Sequence, residues 1–312
     1  MMKKIVYLVI LAAGGFTSCD HIENPYPPAL SQGTWDLYPD GDSAHYYQNV
    51  YQAFAPNSNT DRSVLIEDFT GHTCIYCPPA AVQAENIKAA NPGRVVIEAI
   101  HTGAGGLESF QELNPAQGFT HDFTCPEGLA IGQHFGINWP GSPFVGNPFG
   151  SVSRADNGSG YPVENPNTWP SSTTSLLSTN DLKVNLQAQV NYYEATRGLF
   201  VHIEADVLDG NLTNELRLVA HLIEDSLVAF QKIPDGSTDS NYVHRDVLVG
   251  SLDNNAWGQP LDVAHLDPNG NYYFNYIYEL PEGYDPQNMS VVFYVRDAVT
   301  EEIYQVIEDH VD

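Results

Sequence analysis

Between Leu182 and Asn191 apolar and polar residues alternate without a break: Leu182, Val184, Leu186, Ala188 and Val190 against Lys183, Asn185, Gln187, Gln189 and Asn191. Two-residue alternation sends the two sets of side chains to opposite faces of an extended chain, so the segment reads as a half-buried strand. Six more strand-like runs follow, at residues 199–207, 215–223, 242–249, 271–279, 290–296 and 303–308. Asp267-Pro268-Asn269-Gly270 separates two of them with turn chemistry, Pro setting φ and Gly relieving a left-handed position. Seven short strands so punctuated predict an antiparallel, immunoglobulin-like β-sandwich over residues 176–312.

The preceding part of the chain has a different rhythm. Residues 64–69 (VLIEDF) predict a buried strand, and the stretch after it a helix ended by Asn91, Pro92 and Gly93. Residues 94–101 (RVVIEAIH) predict a second strand. Thr124-Cys125-Pro126-Glu127 has capping-box spacing with Pro in the first turn, and opens a helix that Gly136 stops. Phe144-Val145 begins a third strand, whereas residues 151–175, rich in Gly, Pro, Ser and Asn, predict irregular coverage and a linker. Strand, helix, strand, helix, strand is a βαβ signature with a largely parallel sheet. The expected fold class is therefore α/β plus all-β, with a first domain over residues 63–175.

The amino terminus, MMKKIVYLVILAAGGFTSCD, joins two lysines to an apolar run too short to be a stable membrane span, then small residues and Cys19. This order resembles a bacterial lipoprotein signal, which implies removal of residues 1–18 and lipidation of Cys19. An ordinary secretory signal cut nearby is the alternative, and both readings export the chain. Residues 19–62 then form a tether and N-terminal extension, opened by Pro25, Pro27 and Pro28. A net charge of -27 excludes a general nucleic-acid binder and a basic patch for anionic lipid. From Asp181 onward 23 acids face 6 Lys+Arg, yet no DxDxDG calcium loop appears, so these acids read as solvated edges.

Cys74-Ile75-Tyr76-Cys77 lies where a strand hands over to a helix. Unpaired N–H groups and the helix dipole stabilise a thiolate on the first cysteine there, and the second sulfur can reach back to close a disulfide. Outside the cytoplasm such a pair tends to be oxidised. At this point the residues resemble the thioredoxin superfamily. The resemblance implies a proton-relay role for Asp68, attack by Cys74, resolution by Cys77, and a cis-proline facing the disulfide. Phe135-Gly136-Ile137 followed by Gly141-Ser142-Pro143 makes Pro143 the cis candidate and Pro140 the alternative. VLIEDFTGHTCIYCPPA, the lipoprotein start and a later YVHRDVL segment resemble more closely the bacterial outer-membrane lipoproteins related to "outer membrane protein twenty-eight". That resemblance implies a thioredoxin-like domain followed by a β-sandwich, at the outer membrane, without a settled activity.

The pattern departs from thioredoxins at Thr73, where they carry Trp, and at Ile75-Tyr76, where they carry Gly-Pro. Pro78 and Pro79 remove two N–H donors from the start of the helix, which weakens thiolate stabilisation and leaves a structural or permanently oxidised pair as an equal alternative. Cys125, at a predicted helix start, is either a third redox partner or a buried inert thiol. His72, His101 and His121 offer zinc ligands in principle, but no second knuckle completes a site, so no metal or cofactor is expected. His244-Arg245 reads as a structural pair. GxSxG, HExxH and P-loop patterns are missing, which leaves hydrolase, zincin and NTPase readings without residues to support them. Two functions stand: thiol–disulfide exchange on exported proteins, or a redox-inert surface lipoprotein whose sandwich binds a protein or glycan.

Overall fold

The computed structural model describes residues 34–311. The leader at residues 1–18 and the acylation candidate Cys19 lie outside the described residues. A 3-10 turn (Trp35–Leu37) precedes α1 (Ser43–Asn49), whose cap Asp42 accepts from the Ala44 N–H at 2.8 Å. Then come β1 (Val64–Thr70), α2 (Cys77–Ala90), β2 (Val95–His101), α3 (Pro126–Phe135), β3 (Phe149–Val152) and α4 (Trp169–Thr179). β1 and β2 pair in parallel, with Val64 opposite Val95 and Thr70 opposite His101, and β3 returns antiparallel to β1. Every residue of β1 is buried, as a strand covered on both faces requires.

The rest of the chain supplies β4 (Val184–Tyr193), β5 (Gly198–Val207), β6 (Leu216–Glu224), β7 (Leu227–Lys232), β8 (Thr238–His244), β9 (Val247–Ser251), β10 (Gln259–Pro260), β11 (Tyr272–Glu279), β12 (Met289–Asp297) and β13 (Ile303–His310). These strands do not close into an independent sandwich. The order β13-β12-β6-β9-β2-β1-β3, with β10 on β6, makes one eight-stranded mixed sheet from both halves of the chain. The seam is the parallel contact of β9 with β2, where Val247 faces Ala99 and the Ala99 N–H donates to the Asp246 carbonyl at 2.7 Å.

This corrects the expected fold class, a thioredoxin-like α/β domain followed by an immunoglobulin-like sandwich. Thirteen strands against four helices among the described residues make the body mainly β, and its principal sheet is shared and mixed. The physical reason is visible at residues 242–249, expected to be one strand. β8 ends at His244, Asp246 takes a left-handed φ of 49°, and β9 starts afresh in a direction that lets it join β2. Periodicity reports which face of a strand is buried, whereas partner choice is a non-local property that it does not carry.

The sheet curls until its ends nearly meet: the Ile303 N–H donates to the Ser153 carbonyl (2.8 Å) and the Ser153 N–H to the Leu65 carbonyl (2.7 Å). Inside the curl, Leu65 and Val96 pack against Val219, Val292, Tyr294 and Val306. Arg154, with φ 49°, reaches into this interior and holds Glu67 through two hydrogen bonds of 2.9 and 2.6 Å, with Ser151 Oγ donating to the same carboxylate. Burial alone would lower the Arg154 pKa, but the Glu67 carboxylate beside it outweighs that and drives it up, so the guanidinium stays charged. The three-stranded sheet β11-β5-β4 covers the outer side, burying Val184, Leu186, Val201 and Phe274 against Leu218, Leu222, Val291 and Phe293. Each such side chain contributes about 1.5–3 kcal/mol. The alternation read at Leu182–Asn191 is thus realised in β4, and α1 covers the far face of β5 through Tyr46 and Phe200.

The third strand, expected from Phe144-Val145, forms instead at Phe149–Val152, the residues that pair with β1; α1 and β10 were not expected, and two further unexpected elements bear on the site. Residues 169–179, expected to be linker, form α4, pinned by the fully buried Trp169 against β1 and β3. Packing overrides the weak helix propensity of its Ser and Thr residues. The second is β7, which with β8 forms a separate two-stranded hairpin. Both junctions of that hairpin with β6 and β9 carry left-handed non-glycine residues, Ser226 (φ 62°) and Asp246 (φ 49°), so it projects away from the main sheet.

Candidate functional site

β1 delivers Thr70, Gly71, His72, Thr73 and Cys74 at its carboxyl end, and the chain then turns into α2. Gly71 sits where any Cβ would meet the Phe110 carbonyl at 2.6 Å, so only glycine lets loop 108–113 close over this turn. That loop is tied down by the Thr73 N–H to the Phe110 carbonyl (3.2 Å) and by Gln111 Nε2 to the Thr70 carbonyl (2.7 Å). Cys74 and Cys77 are joined as a disulfide, with Cα atoms 5.5 Å apart. α2 begins at Cys77 without a side-chain cap, and Pro78 and Pro79 occupy its first turn. The missing donors foreseen from the sequence are therefore real.

Neither sulfur-bearing residue faces solvent: Cys74 is 1% and Cys77 2% exposed. What covers them is β7, the strand missed in the sequence. Gln231 donates from Nε2 to the Cys74 carbonyl (3.0 Å) and to the Gly71 carbonyl (3.4 Å), and the Lys232 N–H donates to the His72 carbonyl (2.9 Å). Phe230 packs its ring against Phe119 in the same cover. The apolar run LVAFQK at Leu227–Lys232 was the available signal for this strand, but it is short and lies in a polar context.

Beneath the hairpin a cavity of about 30 Å³ touches Asp68, Cys77, His101, Gln231, Tyr242 and His244. Asp68 Oδ1, His101 Nδ1 and His244 Nε2 are buried there without hydrogen-bond partners. Burial pushes the Asp68 carboxyl up to about 8, so it is protonated at neutral pH. The same desolvation holds His101 well below the usual imidazole range and lowers His244 to about 4, helped by the neighbouring histidines. Phe123 stacks on His101 at 4.5 Å and lies 4.2 Å from His244, so both rings are kept neutral in an aromatic setting. His72 lies at the same cover and donates from Nε2 to the Glu112 carbonyl at 3.0 Å.

Other expected site residues fall elsewhere. The cis peptide is Asn147–Pro148, not the bond before Pro143 or Pro140, and Asn147 Nδ2 donates to the Thr102 carbonyl at 2.8 Å. Cys125 caps α3: its Sγ accepts from the Gly128 N–H (3.4 Å) and donates to the Leu248 carbonyl (3.6 Å). Burial pushes that thiol up to about 12, and Cys125 does not line the cavity beside Cys77. Among the described residues no group of three or more His, Cys, Asp or Glu is arranged to hold a metal. His244 belongs to the disulfide surroundings, whereas Arg245 pairs at the surface with Asp225 at 3.2 Å.

The profile of the outer membrane protein Omp28 family matches residues 144–312. Among solved structures, HBP35 of Porphyromonas gingivalis is similar, with a TM-score of 0.61 at 16% identity, covering 82% of this chain and 77% of that one. This likeness is one of fold. A domain of the outer membrane lipoprotein Omp28 from Porphyromonas gingivalis is 24% identical over 42% of this chain and 90% of its own, with a TM-score of 0.28. No curated protein matches.

Proposed function

The chain belongs to the outer membrane protein Omp28 family, and from that membership we propose that it works as a binding protein held by a lipid on Cys19, with Cys74–Cys77 a structural crosslink. Its place is the outer membrane, as a lipoprotein. The single observation that carries the binding reading is the cover over the disulfide. An exchange centre has to offer its attacking sulfur to a partner, and here Cys74 is 1% exposed beneath Gln231 and loop 108–113. The prolines at the start of α2 further weaken any thiolate, and the buried Cys125 thiol offers no substitute nucleophile. The partner on this reading is a surface protein or a glycan.

Exchange with exported protein thiols or disulfides is the second reading. One observation favours it: Asp68 carries a proton at neutral pH in the cavity that touches Cys77. The two readings separate in a trapping experiment on the full chain. With Cys77→Ser, the binding reading expects no mixed disulfide on Cys74 in envelope extracts. Adducts absent from a Cys74→Ser/Cys77→Ser chain would reverse the conclusion.

A further inference from the structure

A cavity of about 570 Å³ lies between α4 and the loop at residues 155–159. It falls within the size range of small-molecule sites and shares no lining residue with the disulfide cavity. The wall on the α4 side is made by the cap residue Thr168 and by Ser171, Ser172 and Ser175 of the helix. Those positions follow the i, i+3, i+4, i+7 spacing of one helix face, so four hydroxyl groups stand where a helix normally shows its most consistent surface. α4 carries hydroxyl residues on its other faces as well, at Thr173, Thr174, Ser178 and Thr179, so it is the cleft and not the helix composition that sets these four apart. The opposite wall is Asp156 and Asn157, and Val152, Ala155 and Leu176 supply apolar surface between the walls.

The hydrogen bonds define what the cleft can recognise. Glu164, 8% exposed, joins the two walls through one oxygen: Oε2 accepts from Asn157 Nδ2, from Thr168 Oγ1 (2.8 Å) and from Ser172 Oγ (2.8 Å). Ser171 Oγ donates to the Thr168 carbonyl at 2.8 Å. With their protons committed to these bonds, the Thr168, Ser171 and Ser172 hydroxyls are left as acceptors. Asp156 Oδ1 accepts from the Gly158 and Gly160 N–H groups, both at 2.8 Å, which orients its other oxygen as a further acceptor. No Lys, Arg or His lines the cleft, so an anionic ligand would find no counter-charge. A matching ligand carries many hydroxyl donors and has C–H faces for Val152 and Leu176.

We infer that this cleft is a binding site for a neutral saccharide, held by hydroxyl donation to Asp156, Thr168, Ser171 and Ser172. The two walls are braced by Glu164 before any ligand arrives, so little ordering is needed on binding. The inference rests on reading the protein as a binder and names the ligand class. It is separable from that reading: exchange activity at Cys74 with sugar binding intact would sink only the former, and an inert disulfide with no sugar binding only the latter.

The test is a backbone NMR titration of the full mature chain with maltose, lactose and N,N′-diacetylchitobiose as probes. At least one is expected to give saturable shifts confined to residues 155–159 and 168–176. The dissociation constant should be on the order of 1 mM, the weak end expected of a cleft without an aromatic platform. Asp156→Ala, and separately Ser172→Ala/Ser175→Ala, should each weaken binding about tenfold, or about 1.4 kcal/mol, with the remaining spectrum unchanged. Absence of saturable binding by all three probes would overturn the inference, as would shifts elsewhere or equal affinity in the variants. Calcium chloride alone reproducing the shifts would also overturn it, since the cleft would then be a cation site.

Discussion

Gln231, on a hairpin that leaves the main sheet, donates its side-chain N–H to the carbonyl of Cys74 at 3.0 Å, 157 residues earlier in the chain. The disulfide is therefore a joint product of β1, loop 108–113 and β7, and its closure depends on a residue outside the CxxC segment. Gln231→Ala removes the bonds to Cys74, Gly71 and Lys232, leaving the Cys74 and Gly71 carbonyls only the Cys77 and Cys74 N–H groups. The expected cost is about 1–3 kcal/mol in urea unfolding, together with faster reduction of the disulfide by dithiothreitol.

Asp68 makes stability fall as pH rises. Its folded pKa of about 8 lies above the unfolded value of 3.8, so the folded state holds the proton more tightly. The advantage is complete below the unfolded pKa and is lost as pH climbs through the folded one. Asp68→Asn keeps the shape and removes the ionisation. It is expected to raise stability by roughly 2–4 kcal/mol at about pH 7 and by little near pH 4. Denaturation curves across that range check both values, and equal gains at both ends would show that the carboxyl does not titrate as described.

His244 acts at the acid side. Its folded pKa of about 4 lies below the ordinary imidazole value of 6.5, so on acidification the unfolded chain takes up the proton first. Stability declines as pH drops through the unfolded pKa and levels off below the folded one, by up to about 3 kcal/mol for this residue. Thermal melts of His244→Gln should show a shallower loss between those limits than the parent chain. An unchanged acid slope would place the titrating group elsewhere.

Arg154 and Glu67 are both fully buried, with side chains 2.6 Å apart. Removing one partner strands the other charge inside the curled sheet. Arg154→Met is expected to cost about 3–5 kcal/mol, and Arg154→Met/Glu67→Leu to recover most of that loss. Chemical denaturation of the two variants measures the difference directly. A double variant no more stable than the single would mean that Tyr294 and Glu301, the other neighbours of Arg154, carry the interaction.

Much of the local structure was legible. β1, β2, α2, α3 and the alternating strand β4 stand close to where periodicity, capping and turn residues put them. The disulfide and the weak start of α2 were readable from Cys74, Cys77, Pro78 and Pro79. Assembly was less so. The β9–β2 seam joins Val247 to Ala99, and no local pattern encodes a pairing across that separation. α4 was hidden because its Ser and Thr residues suit loops as well as helices, and buried Trp169 decides the matter only once β1 and β3 are in place. The cis bond at Pro148 was not legible because residues 136–148 hold three prolines, Pro140, Pro143 and Pro148, that look alike to a spacing argument.

Reduction of the native protein tests the central claim most directly. Dithiothreitol is added to folded chain across a urea series, and the alkylated state of Cys74 and Cys77 is read by mass spectrometry. The account predicts a disulfide that stays oxidised until urea unfolds the protein, with reduction following the unfolding curve. Rapid, complete reduction of a chain that remains folded would contradict it, because the sulfurs would then be open to exchange.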